Sequence, residues 1–126
     1  MADAKRILLV DDEPDIIKTV QVRLEKNGYA VITAIDGQDA LAKARSENPD
    51  LIILDLMLPK LNGYQVCRML KFDEQYKKIP IIIFTARTQD QDKQTSQEVG
   101  ADAYISKPFE SSVLLEKIET LLNIKK

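Results

Sequence analysis

Short apolar runs alternate along the chain with longer amphipathic stretches. Arg6 to Val10 (RILLV) is apolar on both faces, as expected of a parallel strand covered above and below. Ala30 to Ala34 (AVITA), Leu51 to Leu54 (LIIL), Ile81 to Phe84 (IIIF) and Ala103 to Ser106 (AYIS) predict four more strands. Between them the apolar spacing lengthens to that of helices. Pro14 suits a first helical position, and Ile16, Ile17, Val20 and Leu24 recur at helical intervals until Gly28 stops the run. Asp36 or Gly37 opens a second helix with Ala40, Leu41 and Ala44 inward, closed by Asn48-Pro49. A third follows Asn62-Gly63 and carries Val66, Met69 and Leu70. Thr88 with Gln91 resembles a capping box before a fourth, Gln89 to Val99. Ser111 or Ser112 opens the last, with Leu114, Ile118, Leu121 and Leu122 on one stripe.

Five strands alternating with five helices predict an α/β fold, a parallel sheet with helices on both faces. The length of 126 residues fits one domain, residues 1–126, with its core over about 5–122. With 44% hydrophobic and 30% charged residues, a folded globular chain is expected. Cys67 is the sole cysteine, which excludes an intramolecular disulfide and points to a reducing compartment. No apolar run approaches the roughly 20 residues of a membrane span, and the opening MADAKR lacks a signal peptide's apolar stretch. A cytoplasmic location without membrane contact is expected. A net charge of −2 gives no support for direct nucleic-acid binding.

The chemistry open to the chain is narrow. It has no histidine, which removes Ser-His-Asp and Cys-His nucleophile systems and argues against zinc. Neither glycine-rich phosphate cradle, G-x-x-x-x-G-K or G-x-G-x-x-G, occurs. Carboxylates, lysine and hydroxyls remain.

These are found where the strands end. After the first strand come Asp11 and Asp12, after the third Asp55, after the fourth Thr85, after the fifth Lys107. Parallel strands bring these side chains to one edge of the sheet, where open α/β folds bind their ligands. Singly, each has an ordinary role: Asp before a helix is commonly a cap, Asp after a strand commonly makes a turn, and lysine is commonly a solvated rim charge. Together, at successive strand exits, they form a cluster. Two carboxylates about 4 Å apart repel by about 4 kcal/mol at an effective dielectric near 20. Three such groups need a cation or must take up protons, and Lys107 supplies only one charge. All-oxygen ligation favours magnesium. A magnesium ion beside a lysine and a hydroxyl suits a phosphoryl group, with Asp55 as nucleophile.

With these residues placed, the chain resembles the receiver domain of bacterial two-component response regulators, whose best-known single-domain member is the chemotaxis regulator. The resemblance rests on LLVDDE, LIILDLMLPKLNG, IIIFTA and YISKPF, in order and suitably spaced, and spans about Lys5 to Leu122. It implies a flavodoxin-like doubly wound sheet of strand order 2-1-3-4-5. It implies that Asp55 is the phosphoacceptor, Asp12 a direct magnesium ligand and Asp11 a ligand through water, with the Met57 backbone carbonyl as a further ligand and manganese as an alternative ion. Thr85 would bind a phosphoryl oxygen, Lys107 would pair with Asp55 and then with the phosphate, and Tyr104 would hold the aromatic switch position. The Lys107-Pro108 bond resembles one that is cis in the family. The donor would be a phosphohistidine on a sensor kinase or phosphotransfer protein. The product would be a conformational switch read by a downstream partner, through the face made by the fourth helix, fifth strand and last helix. Such a chain is a signalling switch with self-directed phosphoryl transfer and autodephosphorylation, not an enzyme with turnover.

Two local features add to this picture. Met57 stands where the best-known member has a polar side chain helping to place the hydrolytic water, and Arg87 is the other position that modulates dephosphorylation. Slow loss of the phosphoryl group is expected. The stretch Gln89 to Val99 has almost no apolar stripe, so as a helix it would be held weakly by packing and well placed to move. Other classes fit less well. A haloacid-dehalogenase-type phosphatase needs a second Asp two residues after the nucleophile, where this chain has Met57. A flavodoxin-like electron carrier needs a hydroxyl- and glycine-rich loop where this chain has DDEPD. A receiver-like fold that has lost its chemistry would not keep Asp12, Asp55, Thr85 and Lys107 together.

Overall fold

The computed structural model describes residues 4–55, 58, 63–85, 100–106 and 110–122, with Thr85 and Ser106 described through their backbone. The strands are β1 (Arg6–Val10), β2 (Ala30–Ala34), β3 (Leu51–Asp55), β4 (Ile81–Thr85) and β5 (Ala103–Ser106). They form one sheet in the order β2-β1-β3-β4-β5, and every pairing is parallel. Among the described residues the helices are α1 (Pro14–Lys26), α2 (Gly37–Glu47), α3 (Gly63–Lys71) and α4 (Ser111–Leu121). The predicted helix Gln89–Val99 lies outside the described residues. No helix among the described residues is long and apolar enough to cross a membrane.

Helices cover both faces of the sheet because the strand side chains alternate. Leu8, Val10, Ile52, Leu54, Ile81 and Ile83 pack with α2 (Ala40, Leu41, Ala44) and α3 (Val66, Cys67, Leu70). Ile7, Leu9, Leu51, Ile53, Ile82 and Phe84 pack with α1 (Val20, Leu24) and α4 (Leu114, Ile118). Each such aliphatic residue contributes about 1.5–3 kcal/mol through burial.

The helix ends follow local chemistry. Asp36 caps α2, its side chain accepting the Asp39 N–H at 2.8 Å, and Asn48 ends that helix in the left-handed region at φ 48. α1 ends at Lys26 with Gly28 at φ 90, the Tyr29 N–H reaching the Leu24 carbonyl and the Gly28 N–H the Glu25 carbonyl.

Two details differ from the sequence expectation. Asp55 and Thr85 are the last residues of β3 and β4, and do not follow them. Met69 is 47% exposed, whereas Val66, Cys67 and Leu70 are buried. At about 100° per residue, Met69 falls some ~110° from the centre of that stripe. The last helix opens at Ser111 as expected, and the Glu110 backbone carbonyl before it accepts from the Val113 and Leu114 N–H groups.

Burial pushes the Cys67 thiol up from 9.0 to about 12, with Lys71 pulling partly against it and Asp102 adding to it. The folded value lies above the unfolded one. The resulting stability is therefore intact below pH 9.0 and is lost as pH rises toward about 12. Cys67 should resist a thiol-reactive disulfide reagent near neutral pH and react fully once the chain is unfolded in urea. Rapid labelling of the native protein contradicts this assignment.

Candidate functional site

The strand order reverses between β1 and β3, and both strands end in acid at their carboxyl ends. β1 and β3 pair from Ile7↔Leu51 to Val10↔Leu54, so Asp11 and Asp55 stand at the same level beyond the last pair. One carboxylate oxygen from each of Asp11, Asp12 and Asp55 lies within 4.8 Å of the others. Asp11 is fully buried, Asp55 is 3% exposed and Asp12 faces solvent.

The backbone explains this placement. The Asp11 N–H donates to the Ala34 carbonyl at 3.1 Å, which carries the β1–β2 ladder one residue past the strand. The Asp11 carboxylate accepts the Glu13 N–H at 2.9 Å and so is turned into the loop. Capping does not account for the two aspartates, because the N-cap position of α1 belongs to Glu13, whose side chain makes no capping bond. The Glu13 amide was not anticipated as part of the site. Its signal in the sequence is an aspartate two residues ahead of a free amide, the spacing of an Asx turn.

At 4.8 Å two carboxylate charges repel by about 3.5 kcal/mol at an effective dielectric near 20, before water at exposed Asp12 screens it. Three oxygen donors converging on one point, two of them buried, fit a hard divalent cation. Of the other predicted residues, Thr85 ends β4 next to β3 and pairs with Ser106 of β5, so the backbone positions of Thr85 and Asp55 share one edge. Tyr104 lies on β5 opposite Ile83, half-buried against the α2/α3 cluster. Met57, Arg87, Lys107 and the Lys107-Pro108 bond lie outside the described residues.

A doubly wound parallel sheet with an acid triad at its switch point is the architecture of phosphorelay receivers. The chain belongs to the response regulator receiver domain family, whose sequence model matches residues 7–119. It is 47% identical over 118 residues to the alkaline phosphatase synthesis transcriptional regulatory protein PhoP of Bacillus subtilis, covering 94% of this chain and 48% of that protein. It is 39% identical over 118 residues to Protein PilG of Pseudomonas aeruginosa, covering 94% and 87%. The chemotaxis protein CheY4 of Vibrio cholerae superposes with a TM-score of 0.88 at 36% identity, covering 94% of this chain and 98% of that one. The chain spans about half the length of PhoP and of the cyanobacterial regulator RpaA. These relationships place the chain in two-component signalling.

If the triad holds a divalent cation, adding one should raise the urea midpoint. At a concentration one hundredfold above its Kd the gain is about 2.7 kcal/mol. Asp12→Asn should raise the midpoint in chelator, by removing one of three like charges, and should lose most of the cation-dependent gain. Denaturation curves with and without the ion check both. An unaltered response in Asp12→Asn would remove Asp12 from the site.

Proposed function

We infer that this chain takes a phosphoryl group onto Asp55 from a phosphohistidine on a sensor kinase or phosphotransfer protein, and thereby switches between two conformations. One observation carries this: Asp11, Asp12 and Asp55 bring carboxylate oxygens to within 4.8 Å of one another at the sheet's switch point. A carboxylate oxygen of Asp55 attacks phosphorus, the phosphorus–nitrogen bond to the donor imidazole breaks, and that nitrogen keeps the electron pair. Asp55 is suited to this because β3 holds it at the sheet edge with both faces of the strand covered. Magnesium, or manganese in its place, would be held by Asp12, Asp55 and the Met57 carbonyl, with Asp11 acting through water, and would neutralise charge on the phosphoryl oxygens. Thr85 donates to one phosphoryl oxygen, and the Lys107 ammonium pairs with another.

The bias then passes along the sheet. Thr85 and Ser106 are register partners, and Tyr104 lies two residues before Ser106. Inward rotation of Tyr104 as Thr85 engages phosphate would change the face made by the 89–99 segment, β5 and α4, where a downstream protein binds. The names of the longer relatives refer to transcription. Within the present segment, of net charge −2, the output is a protein contact and not a nucleic-acid one. The setting is the cytoplasm, and the switch performs no substrate turnover beyond its own dephosphorylation.

Incubation with acetyl phosphate and magnesium should add the mass of one phosphoryl group, and Asp55→Ala should add none. A modified Asp55→Ala protein refutes the assignment. Met57 sets the lifetime, with Arg87 as the second modulator. An apolar Met57 fails to orient water, so Met57→Asn should shorten the acyl phosphate's half-life by about tenfold, less than the roughly 10²–10⁴-fold of full general acid–base catalysis because an amide only orients the water. An unchanged half-life would assign that step elsewhere.

A further inference from the structure

At the amino edge of the sheet, far along the strands from the acids, two parallel pairs begin with the same device. The Asp50 N–H donates to the Arg6 carbonyl at 2.7 Å, and the Asp50 carboxylate accepts the Arg6 N–H at 2.8 Å. The Asp102 N–H donates to the Ile81 carbonyl at 2.9 Å, and the Asp102 carboxylate accepts the Ile81 N–H at 2.8 Å. Each aspartate thus brackets the first residue of the neighbouring strand. Among the described residues, the second bracket is also tied to a largely buried cation. Lys71 Nζ, on a side chain only 11% exposed, lies 2.6 Å from the same Asp102 oxygen and donates to the Ile79 and Lys77 carbonyls at 2.8 and 3.2 Å. Gly100, at φ 88, leaves room for it: a Cβ there would come within 3.2 Å of Lys71 Cβ and Cγ.

One ammonium therefore joins the end of α3, the turn before β4, and the residue that opens β5. The register that follows is Ile82↔Ala103, Ile83↔Tyr104, Phe84↔Ile105 and Thr85↔Ser106. A slip of one residue would shift the exit of β5 by about 3.3 Å and turn its side chains to the opposite faces. The packing of β5 resists such a slip weakly, since the strand has four residues and Ala103 and Tyr104 are only partly buried beside Ile105.

We propose that Lys71 and Asp102 are positioning residues for phosphoryl transfer: their bracket fixes the level at which β5 leaves the sheet beside Thr85, and so the reach of Lys107, the next residue in the chain. This rests on the phosphoacceptor function inferred above. Asp11 and Asp12 follow β1 and Asp55 ends β3, so they do not depend on the bracket.

The test separates rate from metal affinity. Lys71→Met and Asp102→Asn are assayed with acetyl phosphate at saturating magnesium, at a temperature where circular dichroism shows each variant folded. Asp102→Asn keeps an acceptor for the Ile81 N–H and serves if Lys71→Met does not fold. The maximal phosphorylation rate should fall about tenfold or more, as for a small misplacement of a reacting group, while the Kd for magnesium stays within about twofold. In a Lys107→Ala background, where nothing remains to be positioned, Lys71→Met and Asp102→Asn should cause no further loss. An unchanged rate in folded variants, an equal loss of magnesium affinity, or additive losses with Lys107→Ala overturns the proposal. A wild-type chain that takes up no phosphoryl group overturns the phosphoacceptor function with it; a phosphorylatable wild type matched by its variants overturns the positioning role alone.

Discussion

The structure depends on a forced proximity of like charges. Ile7 to Val10 and Leu51 to Leu54 are completely buried, and the strands they form lie side by side at the centre of the sheet. Burying eight such side chains contributes on the order of 10–20 kcal/mol. The repulsion between two carboxylate charges 4.8 Å apart, the outer limit of the cluster, is about 3.5 kcal/mol at an effective dielectric near 20. Burial wins, so the core holds Asp11 and Asp55 together although their charges oppose it. A site assembled in this way is preorganised: the acids cannot relax apart without unpairing the two central strands.

The two edges of the sheet divide the labour. At the carboxyl edge the acid side chains cluster, and backbone bonds such as Glu13 N–H to Asp11 orient them. At the amino edge, Asp50 and Asp102 are used for register. The same residue type serves opposite purposes because its surroundings differ. Asp102 spends its carboxylate on a neighbouring amide and a buried lysine, whereas the carboxylates of Asp11, Asp12 and Asp55 face one another. An aspartate before a strand and one after it look alike in composition; parallel topology separates them by the length of the strand.

Much of this was legible in the chain. Four- and five-residue apolar runs predicted all five strands, because strands buried on both faces leave an unbroken apolar signal. Gly28, Asp36 and Asn48 marked helix ends through chemistry that acts within a few residues. The clustering of Asp11, Asp12 and Asp55 followed from parallel strands alone. What was not legible depends on contacts across the sheet. Met69 has a core residue's composition, but the angular position of α3 turns it outward and gives its place to Cys67. Nothing local in KFDEQYKKIP announces that Lys71 will be buried, since its partners Ile79 and Asp102 are brought to it by the fold.

The distribution of rigidity follows from the same contrast. β1, β3 and β4 contribute apolar side chains to both faces and take their neighbours' ladders on both edges. β5 is a four-residue edge strand with one neighbour and partial burial, and its register has the least packing behind it. A switch must move some part of its structure at modest free-energy cost while holding the reacting groups still. The acid cluster is therefore anchored at the sheet's centre. The outer strand carries Tyr104, and the Lys71–Asp102 bracket holds its amino end, from which the register runs to Thr85↔Ser106. That bracket shares no strand with the β1–β3 pair on which the acid cluster depends, so either can be perturbed without unpairing the other.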